Sequence, residues 1–198
     1  MAISYPRPQP TSIGFEQITI RAYNAVGKTE SPFTYKQQIF QHTGTKWEAD
    51  VVIPSVRRDV SDAWVSTLVS LRGMSGTILL GDPDHASIRG TATTMSITGS
   101  LGDDTVTADL NSSGATILAG DHFQLGSGSD SRLHMVLEDR TGDGSLEIWP
   151  PLRDNYTTAS ATLTNPKCVF RLSSNLTEWS INNASAYGIS FSAVEDLT

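Results

Sequence analysis

Four short clusters hold the side chains that could do chemistry. Asp82-Pro83-Asp84-His85 puts two carboxylates and an imidazole within four residues, a set suited to a hard cation or to acid–base work. Asp121-His122 and His134 offer a carboxylate and two imidazoles from neighbouring segments. Asp139-Arg-Thr-Gly-Asp143-Gly-Ser-Leu-Glu147 has the carboxylate density of a calcium loop, and Cys168 is the lone thiol. Each has a plainer reading. Asp-Pro initiates turns whose carboxylates satisfy local backbone donors, so the first cluster is expected as a turn. His122 alternates with Phe123, and His134 with Leu133 and Met135. Both histidines are therefore expected on the solvent face of adjacent strands, as a cross-strand surface pair; zinc would need a third protein ligand. The third cluster lacks the ligand spacing and flanking helices of an EF-hand and reads as a hairpin turn. Cys168 is in phase with Phe170 and Leu172, as a buried structural thiol would be.

None of the motifs of nucleophilic hydrolases, P-loops, dinucleotide sites or zinc proteases occurs. The expectation is a protein that is not an enzyme, with no catalytic, cofactor-binding or metal-ligating residues. Trp149, opposite the apolar face of its strand, and Tyr156, in the following loop, are the side chains that could stack on a sugar or a partner. A single cysteine excludes an internal disulfide framework. The net charge of -7 argues against a surface that grips nucleic acid, because that requires clustered Lys and Arg. No apolar run has signal-peptide or membrane-spanning length, so synthesis and folding in a cytoplasm without membrane insertion are expected.

The elements that must position these groups are mostly strands. Residues 1–10 carry three prolines and read as an extended arm. Residues 15–22 alternate as a strand. Residues 23–34, with Tyr23, Gly27, Lys28, Glu30, Pro32 and Phe33, read as a long polar connection suited to reaching a neighbouring subunit, as does the N-terminal arm. Residues 35–42 and 46–53 read as a hairpin turning at Thr43-Gly44-Thr45. One helix is predicted over 59–72, with Asp59 as N-cap, an apolar stripe through Trp64, Leu68 and Leu71, and Gly73 as C-cap. From residue 88 to 165, short Thr-rich strands recur near Met95, Val106, Ile117, Phe123, Met135, Ile148 and Ala161. Glycine-rich turns join them, and Pro150-Pro151 stops the run. After Pro166 the earlier style returns in three more strands. The fold class is mainly β: a β-sandwich of residues 1–87 and 166–198 with one α-helix, carrying an inserted small antiparallel β-barrel of residues 88–165.

The pattern Gly120-Asp-x-Phe-x-Leu, Leu133-His-x-Val-Leu137, Gly144-x-Leu-x-Ile-x-Pro-Pro-Leu-Arg153 and Val169-Phe-Arg-Leu172 resembles that of siphophage minor tail proteins of the distal tail, or tail-tip adaptor, type. The plan of strands, long loop, hairpin, helix and returning strand is similar to the β-sandwich belt domain shared with tail-tube proteins. The resemblance implies a hexameric distal tail ring at the virion tail tip, assembled in the host bacterial cytoplasm. Such a ring joins the tail-tube and tape-measure proteins to the tail hub and receptor-binding parts, and DNA passes its lumen without specific binding. An acidic wall would suit that passage. Larger members carry a separate C-terminal galectin-like domain; here the inserted barrel is expected to take up the extra length. The tail-tube protein itself and a glycan-binding module using Trp149 or Tyr156 are the alternatives.

Overall fold

Period-two alternation dominates the chain, and most of it forms strands. The computed structural model describes residues 3–183 and 185–198. In chain order the elements are β1 (Gln17–Glu30), β2 (Gln37–Arg57), α1 (Arg58–Ser70), β3 (Thr77–Leu80), β4 (Met95–Gly99), β5 (Thr105–Asp109) and β6 (Thr116–Ile117). They continue with β7 (His122–Leu125), β8 (Arg132–Val136), β9 (Arg140–Thr141), β10 (Gly144–Trp149), β11 (Tyr156–Ala161), β12 (Cys168–Leu172), β13 (Trp179–Ile181) and β14 (Ala186–Glu195). The protein is mainly β, and α1 is the one α-helix among the described residues.

Two six-stranded sheets carry the architecture. The first runs β1-β2-β14-β12-β3, with β13 added to β14, so it joins strands from both ends of the chain. The second runs β11-β4-β5-β10-β8-β7 and is a nearly closed barrel. Its ends meet where Gln124 and Thr162 exchange backbone hydrogen bonds of 3.0 and 2.8 Å. The two crossings between the sheets run side by side: Ser87 bridges Thr164, and the Asn165 amide donates to the Ala86 carbonyl at 2.8 Å. All seven predicted strands between 88 and 165 are present, although β6 pairs with β9 in a separate two-stranded ladder.

Each sheet has its own core. The inward residues of β2 (Trp47, Ala49, Val51, Ile53) pack with Trp64 and Leu68 of α1 and with Phe170 of β12. The barrel core gathers Ile97, Val106, Phe123, Val136 and Ile148. Leu133 departs from its strand neighbours: it is buried in the first core, with Met135 and Trp149 packed beside it. The β8 and β10 side of the barrel is thus covered by the first sheet.

Three local expectations are corrected. Residues 23–34 are not a loop, and no hairpin turns at Thr43–Thr45. β1 and β2 continue together to a tip at 31–36, where the Ser31 amide donates to the Lys36 carbonyl. The register jumps from Asn24↔Thr45 to Val26↔Gln41, so Ala25 faces three residues of β2. Gly44 therefore marks a bulge, and a Cβ there would crowd Ala25 at 3.3 Å. The helix begins one residue early, with Arg57 as N-cap and no side-chain cap; Asp59 instead occupies the first turn. It ends at Ser70 with Leu71 as C-cap, and the left-handed Arg72 and Gly73 turn the chain away. A side chain at Gly73 would collide with Asn175 Oδ1 at 2.6 Å. Finally, the N-terminal segment lies on its own sheet rather than reaching outward. Arg7 pairs in parallel with Ile78, and the Tyr5 hydroxyl donates to the Ser70 carbonyl at 2.6 Å.

Trp64 is fully buried between Phe15 and Phe191, and its indole N–H donates to the Ile13 carbonyl at 3.3 Å. Trp64→Ala should cost about 3–5 kcal/mol, read as a lowered urea midpoint at unchanged slope.

Candidate functional site

The groups singled out in the sequence collect in two places: the junction between the sheets, and the far half of the β1–β2 ladder.

At the junction, β10 ends in Trp149, and the following turn delivers Arg153. The guanidinium bridges Glu195 at the end of β14, with Nε 3.2 Å from Oε1 and Nη2 2.9 Å from Oε2. Arg153 also donates to the Thr45 carbonyl and hydroxyl at 2.8 and 3.1 Å. The Glu195 side chain is fully buried, and its Oε2 accepts the Trp47 amide at 2.9 Å. Nearby, the Trp47 indole donates to the Leu133 carbonyl at 3.0 Å. Trp149 stands edge-on to Trp47 at 4.4 Å and donates to Asn24 Oδ1 at 2.7 Å. The Trp149 ring, expected as an outward stacking platform, is committed to the junction. Tyr156 opens β11 instead of lying in a loop and packs half-buried against the barrel core.

The two predicted surface histidines are both buried, and on opposite faces. β7 and β8 pair His122 with Met135 and Phe123 with His134. Side chains directly opposite share a face, so His134 joins Phe123 inside the barrel, stacked at 5.4 Å. Its Nδ1 donates to the Pro150 carbonyl at 2.8 Å, while Nε2 has no partner. His122 points the other way, toward Trp47, with ring centroids 6.0 Å apart. Burial lowers the pKa of each to about 4, leaving both neutral near pH 7.

The Asp82–His85 segment forms the expected turn, a short 3₁₀ helix in which Asp82 Oδ1 accepts the Asp84 amide at 3.0 Å. Its His85, however, reaches the junction. Nδ1 lies 2.9 Å from Asp82 Oδ2, and the ring sits 4.0 Å, centroid to centroid, from His122. The carboxylates of the 139–147 segment serve local donors: Asp139 caps the Ala119 amide and Asp143 the Leu110 amide, both at 2.8 Å, and Glu147 accepts the Thr105 hydroxyl at 2.6 Å. Cys168 is buried, and desolvation pushes its thiol up to about 12, so it holds no reactive thiolate.

The candidate assembly residues fall on the β1–β2 arm. β14 pairs with β2 only from Glu48 to Arg57, so residues 23–30 and 37–46 form a two-stranded ladder with no third strand among the described residues. Tyr23, Lys28, Glu30, Pro32 and Phe33 are exposed along it and Gly27 is half-buried. Lys28 and Glu30 pair at 2.9 Å, and Gln37 donates to Glu30 at 2.9 Å. Phe33, at the tip, is 91% exposed. Val26, Tyr35, Ile39 and Phe40, which the sequence reading did not single out, are exposed beside them. Their signal was available: an apolar residue every few positions in a segment with nothing of its own to bury against.

The chain matches no known family model and no curated protein sequence. No helix among the described residues is long and apolar enough to cross a membrane.

Two measurements follow from this geometry. Arg153→Ala leaves the Glu195 carboxylate buried without its counter-charge, and should lower unfolding free energy by about 3–5 kcal/mol in denaturant titrations. His134 gives an acid window. The unfolded chain takes up its proton near pH 6.5 and the folded one only near 4, so stability is complete above 6.5 and is lost as pH falls through that interval. The His134 share of the slope corresponds to a loss on the order of 3 kcal/mol; His122 adds a share of its own, so His134→Phe should roughly halve the slope of urea midpoints taken from pH 7 to 4.

Proposed function

We propose that this chain is a ring-forming structural component of a bacteriophage tail, the distal ring at the tail tip. In this reading the first sheet and α1 are the core of a belt-like β-sandwich, and the barrel is a module inserted into it. The ring joins the tail tube and tape-measure protein to the hub, and its acidic lumen lets DNA pass. The role is architectural rather than catalytic. The motif spanning residues 120–172 supports the tail assignment by resemblance alone.

The β1–β2 arm carries the assembly part of the argument. An isolated two-stranded ladder is marginal in water, and this one leaves apolar side chains exposed on both faces. Val26 and Ile39 lie on one face, and Phe40, opposite Gly27, on the other. A third strand or a covering surface from a neighbouring copy would bury these residues and use the free backbone edge of β1. A closed ring supplies one such neighbour to every subunit. The glycan-binding alternative loses its main candidate, because the Trp149 indole is spent on Asn24 and Trp47.

Light scattering and negative-stain electron microscopy test the proposal. The wild-type chain should form closed rings that stop at one or two layers, whereas long tubes would favour a tail-tube role. A variant with residues 27–40 replaced by Asn-Gly should keep its circular dichroism and thermal midpoint but run as a monomer. A wild-type protein that stays monomeric at high concentration, indistinguishable from the shortened one, would sink the idea.

A further inference from the structure

His122 presents an unsolved polar problem. It is 7% exposed, and neither ring nitrogen has a hydrogen-bond partner. A buried imidazole left unpaired costs about 1–3 kcal/mol, and such groups point to something absent from the polypeptide. The ring faces His85 at 4.0 Å and Asp82 beyond it. One carboxylate oxygen of Asp82 and one ring nitrogen from each histidine lie within 4.8 Å of one another, and this is the one such group among the described residues. Asp82 and His85 are partly open to solvent, with side chains 22% and 35% exposed, so a cation has a path in.

We propose that Asp82, His85 and His122 bind a divalent transition-metal ion of the zinc class, which staples the barrel to the first sheet. Two imidazoles and one carboxylate are the donors that zinc, cobalt and nickel accept; calcium and magnesium prefer oxygen alone. Tetrahedral zinc with bonds of about 2.0–2.1 Å sets its ligand atoms roughly 3.3 Å apart. The 2.9 Å separation of His85 Nδ1 and Asp82 Oδ2 is already of that size, and the His122 nitrogen, within 4.8 Å of the other two ligand atoms, has to close in by side-chain rotation. Solvent fills the fourth position.

The placement gives the ion a purpose. Asp82 and His85 sit in the turn that leaves β3 of the first sheet, and His122 sits on β7 of the barrel, against Trp47. A bond through the metal would hold the two crossings and the barrel in one orientation, independently of whether the chain forms a ring.

The test uses the full chain stripped with EDTA and titrated with zinc chloride by calorimetry, with cobalt(II) absorption as a coordination readout. One ion per chain is expected, and excess zinc should raise the melting temperature on the order of 5 °C. Asp82→Asn keeps the oxygen that caps the Asp84 amide, and His85→Gln alters a partly exposed site. Both variants should fold with metal-free melting temperatures near wild type, yet lose at least tenfold in zinc affinity and the thermal shift. Cobalt should show visible bands in the wild type and not in either variant. Absence of stoichiometric uptake by the wild type, or uptake undiminished in both variants, overturns the assignment.

Discussion

A carboxylate with no access to water has to be answered from within the protein, and Glu195 is answered from both sheets at once. Its desolvation would cost several kcal/mol alone. Arg153, from the turn after β10, meets it with a two-pronged contact, and the Trp47 amide adds a third donor. The same guanidinium holds Thr45, so the end of β14, the bulged middle of β2 and the β10–β11 turn of the barrel are tied by one side chain. A planar guanidinium tolerates little misplacement in such a pairing. The bridge therefore fixes how the barrel sits on the sheet, and the Trp47–Trp149 contact and the burial of Leu133 follow from that seating.

Seating the barrel in this way leaves β7 and β8 with no solvent face. One side holds Phe123 and His134 in the barrel core, while the other holds His122, Leu133 and Met135 against the first sheet. Polar groups on such strands must find partners inside the protein. Gln124 does so fully: its amide donates to Gly126 and Ser131, and its carbonyl accepts from Lys167. Backbone bonds from Gln124 to Thr162 also close the barrel. The histidines are served less completely, His134 at one nitrogen and His122 at none. The junction is thus rigid where it is satisfied and chemically open where it is not.

The β1–β2 arm has the opposite character. Its base is pinned by Trp149 and Arg153, but beyond Asn24 and Thr45 the ladder has only itself. The junction is over-determined, whereas the hairpin is unsupported and leaves aromatic side chains bare. That contrast underlies the proposed ring.

Local alternation in the sequence determined where strands form, because backbone geometry alone sets the period of two: β4, β5, β7, β8, β10, β12 and β14 were all legible in this way. The burial of Cys168 was legible for the same reason, the helix stripe through Trp64 and Leu68 from the 3.6-residue period of a helix, and the turn at Asp82-Pro83 from its own turn chemistry. Tertiary structure alone decided which strand lies beside which and in what register. Register put His122 and His134 on opposite faces, because Phe123 rather than His122 is paired with His134. It also made Gly44 a bulge within a long strand instead of a hairpin turn, since glycine suits either and only the β1 partner distinguishes them. The meetings of Arg153 with Glu195 and of His85 with His122 join residues far apart in the chain, and nothing local encodes their distance. Period reports the side of a strand a residue occupies, but only packing reports what waits on that side.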